Sequence, residues 1–134
     1  MSPSKGGPDD KTLPTPDPAQ VQVIRAYGPG RFVIGEQEWR EPVLVTPAAT
    51  SAWTVTRAED LTPASLATLR EGPRPVELLV LGCGSRAVFL PPALRAELKA
   101  AGLSVEVLDT GSACRTYNVL LAEGRRVAAA LIPL

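Results

Sequence analysis

The sequence predicts an α/β fold of three layers: a central mixed β-sheet flanked by helices, with an N-terminal β-hairpin. Three observations carry that expectation. Two near-continuous apolar runs, Val76–Leu81 and Val127–Ile132, have the composition of strands buried on both faces. Helical segments alternate with strands through the second half of the chain, at the spacing of βαβ units. Near the start, Tyr27-Gly28-Pro29-Gly30 is turn chemistry between two short extended runs.

Residues 1–19 stand apart. Pro3, Pro8, Pro14, Pro16 and Pro18 sit among Gly, Ser, Asp and Lys, with Leu13 the one large aliphatic after Met1. Such a stretch buries too little apolar surface to offset its ordering entropy, so it reads as a flexible Pro-rich tail. The remainder, 20–134, reads as a single α/β domain.

From Val21, alternation through Ala26 suits a first strand, and Arg31–Ile34 returns as the second. Pro42–Val45 is a further strand entered through a proline. Trp53 and Val55 lie in a short extended stretch. Thr62 is a good N-cap with Pro63 at the first helical position, and Leu61 with Leu66 would form a hydrophobic staple. Gly72-Pro73 ends that helix. Pro91-Pro92 opens the next, with Leu94 and Leu98 on one face and Gly102 capping its end. Leu103–Leu108 is a strand. Ser112–Glu123 is a helix whose buried stripe is Ala113, Tyr117, Leu120 and Leu121. No internal repeat is visible.

Composition narrows the function. The chain has 134 residues, 45% of them hydrophobic, enough for one real core. Lys+Arg and Asp+Glu both number 14, so the balance gives no support for nucleic acid as a partner. There is no histidine. That removes Ser-His-Asp and Cys-His catalysis, His-ligated zinc or haem, and an imidazole switch. Cys83 and Cys114 are 31 positions apart, form no C-x-x-C motif, and build no tetrahedral zinc site unless carboxylates or a second chain contribute. The first residues lack the apolar core of a secretory signal, and no apolar run approaches the roughly 20 residues of a membrane span. The expected location is cytoplasmic, with reduced thiols. The Pro- and Ala-rich, Lys-poor composition reads as bacterial.

Ligands of open α/β sheets sit outside the carboxyl ends of the strands. Two corners belong there. The first, Gly82-Cys83-Gly84 with Ala87, fits G-x-G-x-x-A, and Asp109 lies 25 residues after Gly84, near the place of a ribose-binding acid. Pro91-Pro92, however, starts the helix too late to hold a phosphate at the glycines. A tight turn after a buried strand accounts for the motif more simply. The second corner holds Asp109, Thr110, Arg115, Thr116, Tyr117 and Asn118. Asp109 or Thr110 can cap the helix. Arg115 and Asn118, three apart, share a face that could bind an anion or a partner's carboxylate. Alternatively, Arg115 pairs with Asp109 and Asn118 bonds a neighbouring loop, purely to fix the corner. Cys83 and Cys114 both fall in these corners and are expected near one another. An exposed Cys114 at a helix N-terminus would have a lowered pKa, but no histidine base serves it. The expected role of both is that of a small buried thiol, with a redox pair as the competing idea.

The segment Asp109-Thr110-x-x-Ala113-x-Arg115-Thr116-Tyr117-Asn118-x-Leu120 continues as Glu123-Gly124-Arg125-Arg126 into Val127–Leu131. Together with Tyr27-Gly28-x-Gly30-x-Phe32, Trp53, Gly82-x-Gly84 and Pro92–Leu94, it resembles a small α/β domain family. That family is shared by mitochondrial complex I assembly factor three, the adipogenesis-associated domain protein and many bacterial and archaeal proteins. The resemblance covers about 20–134. It implies a three-layer fold with a central mixed sheet and no established enzymatic activity. It also implies, for the mitochondrial relative, assembly of respiratory complex I, and so a link to respiratory-complex or membrane-protein biogenesis.

The expectation is therefore a non-enzymatic protein-binding or assembly module, with no catalytic residue, metal or cofactor and another protein as partner. Its surface would comprise Gly82, Cys83, Gly84, Asp109, Thr110, Arg115, Thr116, Tyr117 and Asn118. The alternative is a small-anion or nucleotide-binding protein, or an enzyme, using the crevice between the two loops. The oligomeric state is left open.

Overall fold

The computed structural model describes residues 21–134. The Pro-rich tail read at 1–19 lies outside the described residues. The first strands, β1 (Ile24–Gly28), β2 (Arg31–Ile34) and β3 (Gln37–Trp39), form an antiparallel sheet in chain order. Gly30 and Gly35 supply the turns at φ +71° and +59°, where a side chain would be strained. The expected hairpin is thus the first part of a three-stranded sheet.

The larger sheet holds β4 (Val43–Val45), β5 (Thr50–Ala52), β6 (Leu78–Cys83), β7 (Ser104–Leu108) and β8 (Val127–Ile132), in the order β5-β4-β8-β6-β7. β6 runs parallel to both β7 and β8, whereas β4 is antiparallel to β5 and β8, so the sheet is mixed. Helix α1 (Pro92–Ala100) links β6 to β7, and α2 (Thr110–Ala122) links β7 to β8.

Each central strand feeds two cores. Leu79, Leu81, Ala128 and Ala130 face one side with Trp53, Leu66, Leu69, Leu98 and Leu103. Val80, Val127, Ala129 and Leu131 face the other, with Phe32, Ile34, Ala113, Cys114 and Tyr117. This two-residue alternation places α1 on one face and α2 with the three-stranded sheet on the other. Leu79, Leu81 and Val80 are wholly buried, and each contributes about 1.5–3 kcal/mol of transfer free energy.

Several elements differ from expectation: Gln37 and Glu38, read as turn, belong to β3, and Ala58–Asp60 forms an unexpected 3-10 turn. Residues Pro63–Arg70 form a 3-10 helix, not an α-helix. Thr62 and Ser65 cap it reciprocally at 3.2 Å. Leu66 and Leu69, the buried pair, are three positions apart, which a three-residue turn aligns on one side. The indole of Trp53 donates to the Ser65 carbonyl at 2.9 Å and holds the segment to the sheet. The edge strand β5 was not expected from sequence, because Thr50-Ser51-Ala52 has no apolar alternation. Among the described residues, no helix is long and apolar enough to cross a membrane.

β7 and β8 lie on either side of β6, and the two connections cover opposite faces. The carboxyl end of β6 is therefore a topological switch point, where open sheets leave a crevice. Both polar corners are there.

Candidate functional site

The two loops are in direct contact. The Thr110 amide donates to the Gly84 carbonyl at 2.8 Å, and the Gly84 amide donates back to Thr110 Oγ1 at 2.8 Å. That same hydroxyl donates to the Ile132 carbonyl at 2.6 Å. One wholly buried threonine thus ties together the ends of β6 and β8 and the start of α2. The two glycines of the Gly-x-Gly motif serve this contact. A Cβ at Gly82 would stand 2.9 Å from Leu131 and 3.0 Å from the Thr110 backbone. Gly84 turns the chain at φ +92°.

Asp109 caps α2, accepting from the Ser112 amide at 3.1 Å. Hydrogen bonding from Ser112, through its side chain and its amide, holds the Asp109 carboxyl below its usual range; Arg115 adds a smaller pull. The guanidinium of Arg115 does not pair with this carboxylate. It donates to the Tyr27 hydroxyl at 2.6 Å and to Ser112 Oγ at 3.3 Å. Tyr27 reaches it by lying against Gly111, where a Cβ would sit 2.9 Å from the phenol oxygen.

The next turn of α2 is engaged with β1. Asn118 donates to the Ile24 carbonyl at 2.8 Å and accepts from the Ile24 amide at 3.0 Å. Its side chain thereby pairs the free edge of the strand as a neighbouring backbone would. Tyr117 is buried, its hydroxyl donates to the Gln22 carbonyl at 2.9 Å, and burial raises its pKa. Thr116 is half-buried.

The thiols are not neighbours in the expected sense. Cys83 follows Leu79 and Leu81 and packs with the Trp53 core, while Cys114 is buried in the Phe32 core on the other face. Strand alternation separates them. Burial pushes the Cys114 thiol up to about 12 and raises that of Cys83 as well, so neither is an activated nucleophile.

With the loops joined through Thr110, open space lies to one side, between β1 and the first half of α2. This groove of 350 Å³ is lined by Ile24, Arg25, Tyr27, Cys114, Arg115 and Asn118, among others. It brings together Arg115 and Asn118 from the expected set, with Cys114 as part of its floor. Gly82, Cys83 and Gly84 do not line it, Cys83 packing on the other face of the sheet, and Thr110 and Tyr117 act through the backbone they hold. Sequence reasoning missed Tyr27 and Ser112 as partners of Arg115. The available signal was Gly111, a glycine in the first turn of a helix, which marks a close neighbour. Chemically, the groove presents donors. Arg115 keeps further N–H groups beyond its two bonds, and the Tyr27 hydroxyl, accepting from Arg115, keeps its own proton to donate. Carboxylate and carbonyl oxygens fit such an edge.

Residues 24–132 match the family described as Protein of unknown function (DUF498/DUF598). An uncharacterized protein of Rhodobacter capsulatus is 43% identical over 111 residues, 83% of this chain and 84% of the relative. NADH dehydrogenase (ubiquinone) 1 alpha subcomplex assembly factor 3 of Xenopus tropicalis is 36% identical over 117 residues, 87% of this chain and 64% of the relative. The human protein of the same name is 33% identical, over 86% of this chain and 62% of its own. The chain therefore spans less than two thirds of the length of these assembly-factor relatives. Among solved structures, a Bordetella parapertussis protein superposes with a TM-score of 0.77 at 36% identity, covering 85% of this chain and 97% of that one. The Mth938-like domain of Bordetella pertussis gives 0.74 at 31% identity, covering 92% of each.

Proposed function

We propose that this chain, which belongs to the DUF498/DUF598 family, is a non-enzymatic protein-binding module acting in the assembly of a respiratory NADH dehydrogenase. Its binding surface is the groove between β1 and α2. The observation that carries this reading is the exposed Arg115–Tyr27 pair, at 2.6 Å. Arginine and tyrosine are the residue types that anchor protein interfaces. Here both offer hydrogen-bond donors outward, over a floor held rigid by Asn118 and Thr110. The partner is a polypeptide presenting a carboxylate or an open carbonyl. Relatives named as assembly factors support the cellular role. Two thiols shifted away from reactivity, in a chain without histidine, favour binding over catalysis. Of the expected set, Arg115 and Asn118 form the surface. Gly82, Gly84, Asp109, Thr110 and Tyr117 fix the elements that bear it, whereas Cys83 packs on the other face of the sheet and Thr116 is half-buried outside the lining.

The test is affinity capture from the source organism with cross-linking, comparing wild type with Arg115→Ala. NADH dehydrogenase subunits recovered by wild type and lost by the variant are the expected result. Equal recovery by both would remove the groove as the interface. Recovery of no respiratory subunit by wild type would remove the assembly role.

A further inference from the structure

A second cavity lies at the other end of the sheet, where β6 and β8 begin. It opens between the β4–β5 turn, the segment entering β6 and the end of α2. Its volume is 450 Å³, inside the about 300–1,000 Å³ range of small-ligand sites.

The wall is apolar and firmly built. Leu69, Val76 and Val127 are buried behind it, with Pro47 and Leu121 half-buried at its sides. The Val76 amide donates to the Leu69 carbonyl at 2.8 Å, and the Thr46 amide donates to the Ala49 carbonyl at 2.8 Å, fixing two of its edges. Gly124, at φ +77°, turns the chain out of α2 and delivers Arg125 and Arg126 to the rim.

The rim is basic, in a chain whose overall charge is zero. Arg126 is engaged by Glu77 at 2.8 Å. Arg74 and Arg125 are exposed and form no ion pair among the described residues. Glu71 is the one carboxylate in the lining, so the rim keeps one positive charge in excess. Two guanidinium groups beside an apolar wall set two requirements on an occupant. A bare inorganic anion leaves the wall wet, and a neutral hydrocarbon leaves the cations unmatched. The planar fork of a guanidinium matches a carboxylate with two parallel hydrogen bonds.

We propose that this cleft binds a small amphiphilic carboxylate, its apolar body against Pro47, Ala48 and Leu121, in front of buried Leu69, Val76 and Val127, and its head between Arg74 and Arg125. The site is separate from the groove between β1 and α2, and its occupancy does not depend on the assembly role. Carboxylate recognition follows from the excess of one charge, and the short apolar body follows from the volume.

Octanoate is the probe, titrated into the full chain and followed by amide proton–nitrogen correlation NMR. Saturable shifts are expected at Ala48, Leu69, Gly124 and Val127. Losing one charge-assisted hydrogen bond weakens binding about tenfold or more. The double variant Arg74→Gln/Arg125→Gln should therefore bind octanoate at least about tenfold more weakly. Both side chains are exposed, so amides away from the cleft should keep their positions and report an intact fold. Octan-1-ol should bind at least about tenfold more weakly than octanoate, for the same reason, and octyltrimethylammonium more weakly still. No saturable shift at millimolar octanoate would overturn the proposal. So would undiminished binding by the double variant, an octyltrimethylammonium affinity equal to that of octanoate, or acetate binding as tightly as octanoate.

Discussion

Thr110→Val isolates the contact that joins the two loops. The hydroxyl accepts from the Gly84 amide at 2.8 Å and donates to the Ile132 carbonyl at 2.6 Å. Valine keeps the shape of the side chain and deletes both bonds. The Gly84 amide is buried, and a buried group left without a partner costs about 1–3 kcal/mol. The Ile132 carbonyl, on a half-buried residue, loses a donor but can recruit water. The added methyl group returns about 0.8 kcal/mol. The net expectation is a loss of about 2 kcal/mol, a large share of the roughly 5–15 kcal/mol that holds a domain folded. Thr110→Ser keeps the hydroxyl and sacrifices one methyl, at about 1 kcal/mol. Urea unfolding followed by circular dichroism measures both, and an unchanged denaturant slope shows that only stability moved. A valine variant as stable as wild type, or a serine variant less stable than the valine one, would refute the role assigned to this hydroxyl.

Asn118→Leu removes both bonds to Ile24 while keeping the bulk of the side chain; amide exchange at Ile24 should accelerate, with about 1–2 kcal/mol lost, and unchanged exchange would contradict the clamp. Gly82→Ala places a methyl 3.0 Å from the Thr110 backbone and should cost about 1–3 kcal/mol in a thermal melt. Alkylation with iodoacetamide at pH 8, read by mass spectrometry, should label half-buried Cys83 before buried Cys114, whose thiol is pushed up to about 12; the reverse order would argue against that burial. The Asp109 carboxyl is held below its usual range when folded, so its contribution is present above the unfolded value of about 3.9 and is lost as pH falls through the folded one. Asp109→Asn should accordingly flatten the acid limb of the stability curve below about pH 4, and an unchanged limb would exclude that linkage.

Much of the fold was legible where one local signal settles the matter. Val127–Ile132 is apolar at every position and bounded by Arg126 and Pro133, and it is a buried strand over the expected span. Asp109, one of the two expected caps, does cap α2, but the helix begins at Thr110, two residues before the expected Ser112. The segment after Thr62 was harder, because the same cap and the same proline can open an α-helix or a 3-10 helix. The interval between Leu66 and Leu69 does not distinguish them either, because residues three apart share a face in both. The site was legible in its residues and not in its pairings. Arg115 and Asn118 were recognised as sharing a face, yet their partners, Tyr27 and Ile24, lie 88 and 94 positions away. Such contacts depend on where the three-stranded sheet docks, which no local pattern encodes. Cys83 and Cys114 show the same limit, because proximity along two loops does not decide which side of the sheet each thiol takes.

The bonds from α2 back to Gln22 and Ile24 also bear on how the protein is made. They span 95 and 94 positions, so β1 leaves the ribosome long before the helix that receives it. At about 5–20 residues per second, the interval is roughly 5–20 s. Throughout that time Phe32 and Ile34, wholly sequestered at the end, have no α2 to cover them. Nascent chains stalled before α2 should therefore be good clients for holdase chaperones, and release should coincide with the emergence of Tyr117 and Asn118.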